Sequence, residues 1–133
     1  MRLIRCTVTL VACVSVAALS AAATSTGNSA RIELKRADLS GAPGMEVITS
    51  VSEYRTGEGV ARHLHHGLET GYVLQGTMVQ YPGQAPVMLA TGTAVMNLRD
   101  VPHGGFTVVG EQPLKLFTVH IVDKGKPLYE WVE

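Results

Sequence analysis

The stretch Arg62-His63-Leu64-His65-His66-Gly67-Leu68-Glu69 decides how this chain is read. If Val60 to His65 is a strand, side chains alternate across it. His63 and His65 then share one face, one pleat repeat apart, while His66 faces away into a turn or surface position. Two neutral imidazoles so placed can reach a single cation. Gly67 supplies the turn, and Glu69 follows where the next strand starts back alongside, so a carboxylate can join the two rings from the same side. This is a strand geometry. The helical metalloprotease pattern H-E-x-x-H needs its histidines at i and i+4 on one helix face, and that spacing is absent here.

The surroundings support the strand reading. Strand-like runs occur at 31–35, 45–55, 60–65, 70–75, 77–81, 86–90, 93–97, 104–109 and 114–122, separated by Gly- and Pro-rich turns such as Gly41-Ala42-Pro43-Gly44 and Pro82-Gly83-Gln84. Short strands at this spacing predict an all-β sandwich or barrel. Ile32 to Leu39 can alternatively be read as a short helix, and no other helix is expected after residue 24. In Lys115–Val122, Phe117, Val119 and Ile121 share one face, and Leu116, Thr118, His120 and Val122 share the other. Both faces are largely apolar, so this strand is expected to be covered on each side, by the barrel interior and by a second sheet or subunit.

The spacing Gly57-x5-His63-x-His65-x3-Glu69-x6-Gly76 resembles the first motif of the cupin family at every fixed position. Gly92 to His103 is similar to its second motif, although Leu98 stands where a Pro is usual, Asp100 where a Gly is usual and Thr107 where an Asn is usual. Asp100 can take the turn itself, because Asx residues tolerate the left-handed region. The resemblance covers about residues 40–128. It implies an all-β double-stranded β-helix, a jelly-roll-like barrel over 40–133, holding a metal inside through His63, His65, Glu69 and His103. Three imidazoles and one carboxylate suit one divalent transition metal such as Fe, Mn, Ni, Cu or Zn, and suit Ca or Mg poorly. Four protein ligands leave positions for water or substrate on a metal that prefers six.

Other residues enter as candidates around that centre. His120 reads as a satisfied buried histidine whose functional version is a group supporting the metal ligands or a general base that moves protons, and Tyr72 as a packing residue that could also move protons or touch substrate; Gln75 is a further contact candidate. Met78, Met88 and Met96 read as core fillers rather than a soft metal site. Arg62 and Arg99 could hold an anion at the barrel mouth. The apolar tail Leu128-Tyr129-Glu130-Trp131-Val132 is expected to pack on the barrel or on a partner subunit.

Composition sets the outer bounds. The 133 residues carry 11 Lys+Arg against 11 Asp+Glu, and 46% are hydrophobic. One domain fits that length, disorder does not fit that composition, and without a basic stripe nucleic acid is not an expected partner. Arg2 and Arg5, the apolar run Thr7–Leu19 and the small residues Ala21-Ala22-Ala23 form a secretory signal peptide over 1–23, followed by a lead-in at 24–39. Leu10-Val11-Ala12-Cys13 looks like a lipobox, but the chain stays apolar after Cys13 where a polar tether would be needed. Cleavage near Ala23 removes both cysteines, so the mature chain holds neither disulfide nor thiolate metal site. The expectation is an exported, periplasmic or secreted homodimer without a membrane span. It would bind a small oxygen-rich molecule at its metal and isomerise, decarboxylate or oxygenate it, or simply capture a ligand, since one barrel hosts many functions.

Overall fold

The computed structural model describes residues 31–133, so the signal-peptide reading at 1–23 lies outside the described residues. Eleven strands are present in this range, with no helix among the described residues. They are β1 (Arg31–Asp38), β2 (Met45–Tyr54), β3 (Gly59–Val60), β4 (His63–Leu64), β5 (Gly67–Gln75), β6 (Thr77–Gln80), β7 (Val87–Leu89), β8 (Ala94–Asn97), β9 (Phe106–Val108), β10 (Leu114–Asp123) and β11 (Glu130–Trp131).

A five-stranded sheet runs in the order β1-β2-β10-β5-β8 and a four-stranded sheet in the order β3-β9-β6-β7, while β11 and β4 pair separately. Every pairing is antiparallel. Apart from the consecutive pairs β1–β2 and β6–β7, neighbouring strands in the two larger sheets come from distant parts of the chain, which brings sequence-remote side chains onto one inner surface. The alternation along β2 and β10 sets that surface: Glu46, Ile48, Ser50, Ser52 and Tyr54 are buried, as are Leu114, Thr118, His120 and Val122.

The interior is divided. Tyr54, Val73, Val79, Val108 and Leu114 form an apolar cluster, with Val60, Tyr81, Leu89, Phe106 and Leu116 packed on it. His63, His65, Glu69 and His120 are buried on the polar side. Filling one part of the barrel with branched and aromatic side chains stabilises the fold and leaves the rest for a site.

Three expectations are corrected here. The helical reading of Ile32–Leu39 fails: residues 31–38 of the expected lead-in pair with β2 from Arg31↔Ser52 to Asp38↔Glu46, with a register shift between Glu33 and Lys35. A ten-residue strand with one edge free has backbone groups to satisfy, and that pairing overrides weak local periodicity. The run 60–65 is two strands. Val60 pairs with Phe106, whereas His63 pairs with Trp131, so the chain changes sheets at Ala61-Arg62. Met88 and Met96 are not core fillers, because they are 62% and 65% exposed, whereas Met78 is half-buried.

Candidate metal centre

His63 and His65 remain on one face despite the strand break, and both are buried. Gly67 starts β5 directly against β10. A Cβ at this position would collide with the Ile121 carbonyl oxygen, so only glycine admits the close approach that turns Glu69 inward. His103 arrives from the other motif. It forms an isolated antiparallel bridge with His63 and follows a turn in which Asp100 adopts φ 59°, the left-handed conformation expected of that Asx residue. One donor atom from each of His63, His65, Glu69 and His103 lies within 4.8 Å of the others.

The ring orientations say more than the distances. His63 Nδ1 lies 2.8 Å from the Ala61 carbonyl and His103 Nδ1 lies 2.9 Å from the Val101 carbonyl. His65 Nδ1 pairs with the carbonyl of Leu128. A carbonyl only accepts, so each Nδ1 carries the proton and donates it. Each neutral ring therefore presents its Nε2 lone pair. His65 Nε2 is buried with no hydrogen-bond partner, 3.3 Å from Glu69 Oε2. His103 Nε2 lies 3.1 Å from the same oxygen. Lone pairs brought this close to a carboxylate repel one another unless a cation or protons lie between them. The donor set thus fits a divalent metal held by three Nε2 atoms and the Glu69 carboxylate.

The electrostatics agree. Burial works to raise the Glu69 pKa, but without a metal the rings of His103, His120 and His65 act as proton donors to it, outweigh burial and hold the carboxyl well below the usual range. Against the pull of burial, Glu69 in turn raises His103. Protons on these rings and a cation are alternative partners of the same carboxylate. Glu69 is ionised at neutral pH. Burial pushes His63 down to about 4, which keeps it a neutral donor. Asn97 Nδ2 donates to Glu69 Oε2 at 2.7 Å from the neighbouring β8 and fixes the carboxylate.

The remaining candidates divide. His120 is the cross-strand partner of Glu69, fully buried, with Nε2 3.3 Å from Glu69 Oε1 but not aligned for a hydrogen bond. It stands behind the carboxylate, the place of a group that supports the metal ligands. Tyr72 is corrected. Three residues after inward-facing Glu69, alternation turns it outward, and it is 49% exposed on the outer face of the sheet. Gln75 donates to the Pro113 carbonyl, and Arg99 is paired bidentately with Asp123, so neither is free for a ligand. Arg62 is exposed and outside the cavity. His66 clasps Asp100 and Glu130 at 2.9 and 2.7 Å, tying the turn before His103 to the C-terminal segment.

That segment was not singled out as part of the site. Tyr129 lies edge-on to His63 and His65, with ring centroids at 4.9 and 5.1 Å, and Trp131 stacks on Tyr129 at 5.4 Å. Burial pushes the Tyr129 phenol up, so it stays protonated at neutral pH. The tail therefore packs on its own barrel as a strap across the donors. Beside them lies a cavity of about 180 Å³, whose walls include His63, Glu69, Asn97 and His103 on one side and Tyr81 and Phe106 on the other.

Residues 50–120 match the family described as the cupin domain. The chain is a cupin. No curated protein matches it significantly. Among solved structures, this cupin is similar to an uncharacterised conserved protein with a double-stranded β-helix domain from Klebsiella pneumoniae. They share 18% identity and a TM-score of 0.61 over 82% of this chain and 88% of that one. It is also similar to an RmlC-like cupin family protein from Methanocaldococcus jannaschii, at 16% identity and a TM-score of 0.50 over 71% and 82% of the two chains. A third likeness is to the polyketide cyclase RemF from Streptomyces resistomycificus, at 19% identity and a TM-score of 0.50 over 70% and 75%. These likenesses establish the all-β double-stranded β-helix fold of this cupin.

Proposed function

We propose that this cupin holds one divalent transition metal (Fe, Mn, Ni, Cu or Zn) through His63, His65, Glu69 and His103, and binds a small oxygen-bearing molecule beside it. The carrying observation is the common orientation of the three imidazoles, each with Nδ1 on a backbone carbonyl, with Nε2 of His65 and His103 beside Glu69 Oε2 and a donor atom of His63 within 4.8 Å of theirs. The metal would act as a Lewis acid on a bound oxygen, which serves isomerisation, decarboxylation or oxygenation by dioxygen. Asn97 holds the Glu69 carboxylate, His120 stands behind it, and Tyr129 keeps water from the faces of His63 and His65. A second reading, capture of the ligand without turnover, is favoured by one observation: His120, a general-base candidate in the sequence, stands behind Glu69 rather than in the cavity.

The protein works outside the cytoplasm on this reading, on the strength of the signal-like residues 1–23. Among the described residues no helix is long and apolar enough to cross a membrane. Pairing with a second copy through the outer face of the five-stranded sheet completes the proposal. Phe117, Val119 and Ile121 face outward there, beside exposed Ile32, Tyr72 and Met96.

Elemental analysis of protein purified from its native compartment, alongside the His63→Ala/His65→Ala double variant, tests the centre. One equivalent of a transition metal is expected in the former and none in the latter. Equal metal content in both removes the assignment.

A further inference from the structure

We infer that the cavity takes a small organic acid whose carboxylate lies away from the donor cluster, on the hydroxyls of Ser52, Tyr54 and Tyr129 with the Arg31 guanidinium behind them. This rests on the metal-centre reading for one end of the molecule and names the chemistry of the other.

Strand register places Arg31. It is the cross-strand partner of Ser52, whose buried side chain lines the cavity, so both belong to the inner face of the sheet. That level continues through Leu116 to Val73, whereas Glu69 belongs to the level of His120 and Ile48. From Ile48 to Ser52 the strand advances about 13 Å. The anion position is therefore separate from the metal donors.

Arg31 has donors to spare. The Glu33 carboxylate accepts from Arg36 Nε and Nη2 at 3.0 Å each, and stands off at 3.7 Å from Arg31 Nη2. Nε and Nη2 of Arg31 are buried and have no hydrogen-bond partner among the described residues; the same holds for Ser50 Oγ at the next inward position of β2. A buried charged donor without a partner is costly. These two N–H groups form one edge of the guanidinium, and that edge matches the two oxygens of a carboxylate.

The cavity wall in front of Arg31 is made of hydroxyl donors. Ser52, Tyr54 and Tyr129 all line it. Burial pushes both phenols up, so each keeps its proton at neutral pH, while the nearby positive charge of Arg31 pulls the other way. Glu69 is the sole carboxylate in that wall, and it stands among the metal donors. An incoming carboxylate meets the hydroxyls first. A rotamer change at Arg31 or Ser52 then brings the buried guanidinium edge onto it.

Butyrate and its neutral isostere butyramide test the site, titrated into the zinc-loaded and the metal-free protein with the Arg31 Nε–H resonance followed by proton–nitrogen-15 NMR. Butyrate is expected to shift that resonance saturably in both forms and to bind at least about tenfold tighter than butyramide. Arg31→Gln should bring the two dissociation constants together, with zinc stoichiometry unchanged. Arg31→Lys, which keeps the charge without the planar edge, should retain part of the preference. Equal binding of butyrate and butyramide to the parent overturns the inference, as does a preference that survives Arg31→Gln or an Arg31 resonance that butyrate does not move. Inorganic phosphate binding tighter than butyrate overturns the assignment to a carboxylate. Should Arg31→Gln fail to fold, the parent resonance and Arg31→Lys decide. Failure to take up zinc with the butyrate response intact removes the metal centre and leaves this inference standing, so the two failures are distinguishable.

Discussion

His63 and His103 exchange both backbone hydrogen bonds across an antiparallel bridge, at 3.0 and 2.8 Å, and their rings sit 4.4 Å apart. The main chain therefore delivers one donor from each motif to the same place, whatever the side chains do. Changing His103 to alanine keeps the bridge and removes only a ligand. Metal affinity should fall by more than about 100-fold, since loss of a mere outer-sphere partner already costs 10–100-fold. The circular-dichroism spectrum should be that of the parent. Stoichiometric metal in the purified variant would show that His103 is not a ligand.

Asn97 offers a finer test of the same centre. Its amide donates to Glu69 Oε2 at 2.7 Å from across the strand pair. Asn97→Ala should weaken metal binding about 10-fold, while Asn97→Asp, which places a second acceptor against an ionised carboxylate, should weaken it further. The metal dissociation constants of the two variants decide, and equal values for both would separate Asn97 from the donor set.

Much of this architecture was legible in the sequence. The period-two alternation of β2 and β10 is strong because each strand has a buried face, and the H-x-H pair fixed the inward surface around Glu69. Asp100 was recognisable as the residue able to take a left-handed turn. What local patterns could not show was set by pairing across the fold. β1 lacks an alternating buried face, with seven of its eight residues exposed, so only 31–35 read as strand-like and the helical reading of Ile32–Leu39 stood beside it. Tyr72 follows from the alternation that places Glu69 inward and could have been assigned outward from sequence alone. Asn97 and Tyr129 have no sequence signal: each reaches the site through a strand or strap whose position depends on the whole barrel.

Dependence on the C-terminal strap follows from the source of each Nδ1 acceptor. His63 and His103 use carbonyls two residues upstream, but His65 uses the carbonyl of Leu128, far along the chain. Ending the chain at Pro127 removes that acceptor together with the Tyr129–Trp131 stack over the rings. Metal affinity should drop by about 10–100-fold, with His65 sampling both tautomers in nitrogen-15 NMR of its ring. His63 and His103 should keep theirs. An unchanged His65 tautomer would sever the link between strap and centre.

Gly67 is where packing and site meet. A Cβ there meets the Ile121 carbonyl, so Gly67→Ala forces β5 away from β10. Overpacking against backbone should destabilise by at least about 2 kcal/mol, a fall in Tm on the order of 10 °C for a domain of this size. Glu69 moves with the strand, so metal affinity should fall as well. Gly125, around whose Cβ position nothing lies within 4 Å, is the control. Gly125→Asn, a residue tolerant of its positive φ, should leave both properties near the parent. A Gly67→Ala variant with parental Tm would contradict the close approach.

The outer face of the five-stranded sheet yields the last expectation. Phe117 sits between Val51 and Tyr72 in the pairing register, and Val119 between Thr49 and Thr70, so a continuous, largely apolar surface crosses three strands. A second copy covering it through a two-fold axis would bury each substituted position twice. Phe117→Asp should therefore convert the dimer to monomer in analytical ultracentrifugation. Metal content should be unchanged, because the donors occupy the opposite face. Ending the chain at Pro127 should leave the dimer intact, since the strap packs on its own barrel. The reverse pattern, a dimer that survives Phe117→Asp and dissociates on loss of the strap, would move the interface to the C-terminal segment.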